Sequence, residues 1–351
     1  MTKTQGYAAK SATSPMESFD FERKELGPHD IQIEILYCGI CHSDLHVVRN
    51  EWKNTIYPVV PGHEILGKVV KIGNQVNSFQ IGDRAAIGCI INSCRNCPNC
   101  QEGLEQYCQN EFMLVFNSKD KEGNVNYGGF SKLINVDESY ALHVPKKFAD
   151  KDLPRVAPLL CAGITTYSPL RHWKVGKGSK VGIVGLGGLG HMAVKLAHAM
   201  GAHVVLFTTS PNKIEDAKRL GADEVIISKN TGEMKKHAAS FDFILNTVAA
   251  PHNLDVFLEL LKRDRTMCLV GLPAEPHPAL NVGNLIFLRR DLAGSVIGGI
   301  KETQELLDFC ADQNVMADVE IIPIQKINEG FDRMLKNDVK YRFVIDMSSL
   351  K

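Results

Sequence analysis

The run Gly185-Leu186-Gly187-Gly188-Leu189-Gly190 restricts the fold more than any other segment of the chain. It follows the short apolar run Lys180-Val181-Gly182-Ile183-Val184. After it, Ala193, Val194, Ala197 and Met200 recur at helical spacing until Gly201. Strand, glycines and helix in that order open a βαβ unit. The glycines permit a tight turn and close approach of a pyrophosphate, and a helix N-terminus favours anions. Read alone, the motif leaves open a glycine-rich turn that holds no ligand. The alternation continues with a strand at 204–207 and a helix opened by Ser210-Pro211 and closed by Gly221. Further strands are expected at 224–227, 241–245 and 267–270. The pattern predicts a doubly wound parallel sheet, a Rossmann-type α/β domain.

The flanking segments have another texture. Residues up to about 155 carry short β-like runs separated by Gly, Pro and Asn, among them the strictly alternating Ile31-Gln32-Ile33-Glu34-Ile35. Val69, Val70 and Ile72 form another run, closed by Gly73-Asn74. Beyond 296 a helix is expected at 302–312 and strands at 319–322 and 342–345. A tail of about 55 residues buries too little surface to fold alone. It is therefore expected to complete the N-terminal domain, which makes the dinucleotide-type domain of 157–296 an insertion between 1–156 and 297–351.

Charge and composition narrow the function. Lys plus Arg and Asp plus Glu each number 40, so no positive excess supports nucleic-acid binding. The opening residues lack the apolar run of a signal peptide. The most apolar long stretch, 181–207, is interrupted by His191, Lys195, His198 and His203, which argues against a membrane span. A cytoplasmic protein is expected, and its ten cysteines then read as metal ligands or reactive thiols in place of disulfides.

Four of them form Cys94-x2-Cys97-x2-Cys100-x7-Cys108. Four thiolates so close suit a closed, tetrahedral structural zinc, in a lobe of about 89–110. A ferredoxin-type iron–sulfur run would have a three-residue last gap followed by Cys-Pro, and here Gln109 follows a gap of seven. A second set is dispersed: Cys38-Gly39-Ile40-Cys41-His42-Ser43-Asp44, then Gly62-His63-Glu64, then Cys161. Spacing leaves this set open between a Cys–His–Cys zinc site, a redox Cys-x-x-Cys and buried packing.

At the end of the second strand an NAD site would carry an acid about 20 residues past the glycines. The chain reads Phe207-Thr208-Thr209-Ser210-Pro211-Asn212-Lys213, with no acid before Glu215. Hydroxyls and a lysine suit the 2′-phosphate of NADP, although Thr208, Thr209 and Ser210 also serve as capping residues.

Together these residues resemble the zinc-containing medium-chain alcohol dehydrogenases, and within them the NADP-dependent cinnamyl alcohol dehydrogenase type. The resemblance rests on residues 38–46, on 62–67 (Gly-His-Glu-Ile-Leu-Gly), on the four-cysteine lobe, on 158–165, on 185–190 and on 298–303. It implies a GroES-like, β-rich catalytic domain with the Rossmann domain inserted in it. It also implies hydride transfer between NADP(H) and a primary alcohol or aldehyde, with two zinc ions per chain. By resemblance Cys41, His63 and Cys161 hold the catalytic zinc, Glu64 approaches it and Asp44 orients His63. The Cys2His set with an open fourth position is the known alcohol dehydrogenase arrangement and is not deduced from spacing.

The same resemblance makes Ser43 and His46 a proton relay. It places His42 and Arg342 at the coenzyme phosphates beside Gly185, Gly187, Gly188, Leu189 and Gly190. Trp52, Met113, Val296 and Ile297 become candidate pocket walls, with core packing as the alternative for Trp52 and Met113. The lignin-pathway members carry aromatic residues where Met113 and Val296 stand, so a broad aldehyde range is expected. Residues 291–296 resemble the edge strand through which the family forms homodimers. Cys89, Cys268 and Cys310 are expected to be packing residues. A polyol or sugar dehydrogenase, a metal-free reductase and a non-catalytic NADPH-binding descendant are the competing readings.

Overall fold

The computed structural model describes residues 1–110 and 112–351. The chain divides into two units, Met1–Cys161 with Gly298–Lys351, and Ala162–Ile297. These limits lie a few residues from the expected ones. The 3₁₀ turn Ala157–Leu160 is wholly buried and belongs with the first unit.

The first unit is built on a seven-stranded sheet. Its centre is the long strand Asp30–Ile40, which pairs with Arg342–Asp346, Ile65–Ile72 and Leu133–Asp137. Ile31, Ile33 and Ile35 bury one face, as their alternation predicts. Gln32 is buried as well, because its amide donates to Asn135 Oδ1 at 2.9 Å. The C-terminal strand Arg342–Asp346 pairs antiparallel with Asp30–Ile40 and parallel with Val319–Pro323. The tail thus contributes two strands to a sheet begun far upstream. Its helix Ile300–Gln313 buries Thr303, Leu306, Leu307 and Cys310, one stripe at helical spacing.

The second unit is a six-stranded parallel sheet. In space its strands run Glu224–Ile227, His203–Thr208, Lys180–Val184, Phe241–Asn246, Leu261–Leu269, Asp291–Gly294. That is the order 3-2-1-4-5-6 of a dinucleotide-binding sheet. Apolar side chains from successive strands fill its core, with Phe207 and Phe241 ring centroids 5.4 Å apart. Asp291–Gly294 is an edge strand, bonded only to Leu261–Leu269 among the described residues. Among those residues no helix is long and apolar enough to cross a membrane.

Candidate active site

Strand Asp30–Ile40 ends at Cys41, which caps the short helix His42–Val48. Asp44, fully buried, ties this corner to the next loop. Its Oδ2 accepts from the Cys41 backbone N–H at 2.8 Å and its Oδ1 from Gly62 N–H at 2.9 Å. Oδ1 also lies 3.1 Å from His63 Nδ1. That pairing leaves His63 Nε2 as the free ring nitrogen. Gly62 has φ +104°, and a Cβ there would collide with Phe130 and Cys38. The loop therefore requires glycine before the histidine. Cys161 closes the 3₁₀ turn Ala157–Leu160.

The ligand atoms of Cys41, His63, Glu64 and Cys161 all lie within 4.8 Å of one another, and all four residues are buried. Cys41 Sγ and Cys161 Sγ are 3.8 Å apart. Two thiolates on one tetrahedral zinc, at Zn–S of about 2.3 Å, are separated by about 3.8 Å. The neighbouring Cys161 thiol draws Cys41 well below the usual thiol range, while Cys161 is pushed well above it. Two buried sulfurs at this separation suit a divalent cation between them. The second group, Cys94, Cys97, Cys100 and Cys108, meets the same test, with Cys94–Cys100 and Cys97–Cys108 separations of 3.8 and 4.0 Å. Backbone N–H groups of Cys97 and Gln109 approach Cys94 Sγ and Cys97 Sγ at 3.4 and 3.5 Å. All ten cysteines are free.

Glu64 is buried between these groups. One carboxylate oxygen pairs with Arg342 Nη2, and the other has no hydrogen-bond partner. Burial pushes the carboxyl up to about 8 against the pull of Arg342. Arg342, expected at the coenzyme phosphates, is itself buried and held by this pairing, with its Nε unpartnered. His42 is exposed at the start of its helix. Ser43 Oγ lies 3.6 Å from Cys41 Sγ.

Several site residues have no counterpart among the sequence expectations. Glu51 Oε2 contacts His46 Nδ1, and the Glu51 N–H donates to His46 O at 2.9 Å. An acid five residues past His46, just beyond a helix end, was the available signal. The Trp52 ring lies tilted against the His46 ring, with centroids 5.1 Å apart. Phe116 stacks on His63 with ring centroids 5.7 Å apart. Cys89, expected as packing, is half-buried, and the neighbouring Cys161 thiol holds it below the usual thiol range. Cys268 and Cys310 are buried packing residues. Met113 forms a two-residue strand with Leu114, paired with Ile90–Asn92. Val296 and Ile297 belong to the second unit, and Val296 is exposed.

In that unit the glycine run forms a tight turn with open space before the helix. Gly185 has φ +92°, and a Cβ on Gly190 would strike Gly185 O at 2.1 Å. A Cβ on Gly187 would meet nothing within 4 Å, so open space faces the N-terminus of helix Gly188–Ala199. That vacant approach is what a pyrophosphate needs. Leu189 lies in the first turn of the same helix. Thr208 ends its strand buried, and its hydroxyl accepts from Ser210 N–H at 3.1 Å. Ser210 occupies the cap position of the 3₁₀ turn Pro211–Lys213 without a side-chain capping bond. Thr209 is exposed, and Lys213 Nζ donates to Leu186 O at 2.8 Å. No carboxylate hydrogen-bonds to these hydroxyls among the described residues.

Two buried thiol-rich clusters on a β-rich unit and a glycine cradle on a parallel sheet define a metal-binding, dinucleotide-dependent dehydrogenase. Residues 27–146 match the alcohol dehydrogenase GroES-like domain family, and residues 188–312 the zinc-binding dehydrogenase family. The chain is 58% identical to aldehyde reductase YahK of Escherichia coli, over 99% of each protein. It is 50% identical to NADP-dependent alcohol dehydrogenase C 1 of Mycolicibacterium smegmatis, over the whole of both. A cinnamyl alcohol dehydrogenase from Sorghum bicolor superposes with TM-score 0.95 at 40% identity, covering 99% of this chain and 98% of that one. The chain belongs to the zinc-binding alcohol dehydrogenase family, in its cinnamyl alcohol dehydrogenase-like branch.

Proposed function

We propose that the protein is an NADP(H)-dependent zinc alcohol dehydrogenase that interconverts primary alcohols and aldehydes, aromatic aldehydes among them. The observation that carries this reading is the buried Cys41–His63–Cys161 cluster with Glu64 at its side and Asp44 behind it. Bound there, zinc supplies Lewis acidity to the substrate oxygen, and the nicotinamide exchanges the hydride. Cys41, His63 and Cys161 hold the metal, and Asp44 fixes the His63 ring so that Nε2 faces it. Ser43 receives the alcohol proton, His46 takes it onward and Glu51 holds the His46 ring. Cys94, Cys97, Cys100 and Cys108 hold the structural zinc and stiffen their lobe.

His42, Arg342 and the glycine run Gly185, Gly187, Gly188, Leu189 and Gly190 serve the pyrophosphate. Thr208, Thr209, Ser210 and Lys213 serve the 2′-phosphate, and the NADP-dependent relative at 50% identity supports that preference. Trp52, Met113, Val296 and Ile297 are pocket candidates, and the aldehyde reductase relative supports an aldehyde range. The edge strand Asp291–Gly294 supports a homodimer, and ten free thiols support residence in the reducing cytoplasm.

The test is coenzyme oxidation with benzaldehyde or cinnamaldehyde, NADPH and NADH side by side, with mannitol oxidation as a separate arm. Rapid loss of NADPH and little loss of NADH is expected. A preference for NADH sinks the phosphate-site assignment, and activity confined to mannitol favours the polyol reading. Elemental analysis is expected to give two zinc ions per chain.

A further inference from the structure

Gly39 is one residue from the end of the central strand and has no positive φ to explain it. What excludes a side chain here is space. A Cβ built on Gly39 would lie 1.9 Å from Glu64 Oε2 and 2.9 Å from Glu64 Cδ. The carboxylate occupies the volume that a methyl group would fill. The two residues are also tied through the backbone, Gly39 N–H donating to Glu64 O at 3.0 Å. In this seat Glu64 has one oxygen on Arg342 and leaves Oε2 buried without a partner, an arrangement that costs free energy. A Glu64 carboxylate oxygen is at the same time within 4.8 Å of the Cys41, His63 and Cys161 ligand atoms. The carboxylate therefore has two places within reach, the seat over Gly39, where Arg342 holds one oxygen, and the metal position.

We propose that Gly39 is a positioning residue: the empty volume above its Cα is the seat that keeps the Glu64 carboxylate withdrawn from the metal position, leaving that position open to the substrate oxygen. The inference rests on the catalytic-zinc reading of Cys41, His63 and Cys161. A side chain at 39 evicts the carboxylate, and the metal is the nearest group able to satisfy it. Gly39 acts through Glu64 and does not itself touch substrate.

The test compares wild type, Gly39→Ala, Glu64→Ala and the double variant as zinc- and cobalt-loaded full-length protein. The readouts are zinc release to a chelator and the cobalt d–d absorption, whose band positions and intensity change when a carboxylate enters the coordination shell. In Gly39→Ala the expected results are shifted d–d bands, slower zinc release and a kcat lowered about tenfold or more, the scale of a misplaced catalytic group. The double variant is expected to match Glu64→Ala in both metal readouts. The built Cβ would still lie 3.0 Å from Glu64 Cβ, which a small shift absorbs. If Gly39→Ala fails to fold, recovery of the fold in the double variant supports the proposal, and failure of both overturns it. A Gly39→Ala protein with wild-type spectrum and release overturns it, as does a double variant as altered as Gly39→Ala. A wild-type protein that binds no metal at Cys41, His63 and Cys161 refutes the underlying site instead, and is recognised before any variant is made.

Discussion

Asp44 Oδ1 lies 3.1 Å from His63 Nδ1 and also accepts the Gly62 N–H, while Oδ2 accepts the Cys41 N–H. One buried carboxylate thus ties the Cys41 and His63 segments, the candidate metal ligands, together and orients the imidazole. Asp44→Asn keeps an oxygen acceptor and loses the charge. It is expected to weaken zinc retention at this site by about 10- to 100-fold, the usual cost of removing such a partner. Asp44→Ala also strands two buried N–H groups and is expected to lower thermal stability further, by about 1–3 kcal/mol for each group. Chelator competition read by elemental analysis checks the first and thermal unfolding the second. Equal zinc retention in wild type and Asp44→Asn refutes the orienting role.

Glu51 engages His46 through its carboxylate and through its own backbone N–H. Glu51→Gln is expected to lower kcat about tenfold, below the 10²–10⁴ of a direct general acid–base contribution, because Glu51 acts through His46. Zinc content and the KM for coenzyme should stay at wild-type values. An unchanged kcat across the pH profile removes Glu51 from the relay.

Lys213 hydrogen-bonds to Leu186 O at 2.8 Å, which places its ammonium group beside the glycine run. If it meets the 2′-phosphate, Lys213→Ala loses a charge-assisted bond of about 1.5–3 kcal/mol, or roughly 10- to 100-fold in KM for NADPH. The KM for NADH should not move. Steady-state kinetics with both coenzymes decides it, and a parallel rise in the two KM values denies the phosphate contact.

Val282, Ile286 and Phe287 are 60%, 70% and 87% exposed, in the segment that leads into the edge strand Asp291–Gly294. A homodimer formed through this edge, as proposed above, would cover these apolar side chains. Light scattering is expected to give a dimer for the wild type and a monomer for Ile286→Lys/Phe287→Lys, with zinc content intact. A monomeric wild type, or a dimeric double variant, refutes this edge as the interface.

What the sequence disclosed depended on how local each feature is. Cys94, Cys97, Cys100 and Cys108 lie on one short lobe, so their spacing alone declares a metal site. The βαβ alternation is equally local, and the strands around Lys180–Val184 were legible with small errors at their ends. Cys41, His63 and Cys161 are joined only by folding, and spacing left them open between three chemistries. The family resemblance, not the spacing, selected one. Arg342 meets Glu64 across 278 positions, and the Phe116 ring meets His63 from another loop. Neither contact has a local periodicity to announce it. The demand for glycine at 39 is a matter of three-dimensional volume, which no turn signal encodes.

Glu138 supplies the pH-dependent prediction. Burial opposes its ionisation, but Ser78 Oγ, Ser78 N–H and Asn77 N–H all donate to its Oε2 and hold the carboxyl down to about 2. A carboxyl with a depressed pKa in the folded state adds stability that is full above its unfolded value. That stability is lost as the pH falls through the folded value. The unfolded value is about 4.3. Glu138→Gln is therefore expected to destabilise the protein by about 1.5–3 kcal/mol at pH 7, the scale of hydrogen bonds to a charged group. The gap between the two proteins should narrow progressively below about pH 4.3 and approach its minimum near the folded value. Comparing the proteins at each pH cancels the acid-induced loss of zinc, which both suffer alike. Urea unfolding from pH 7 down to pH 3 measures it, and a gap that stays constant over that range shows that the charge of Glu138 contributes nothing.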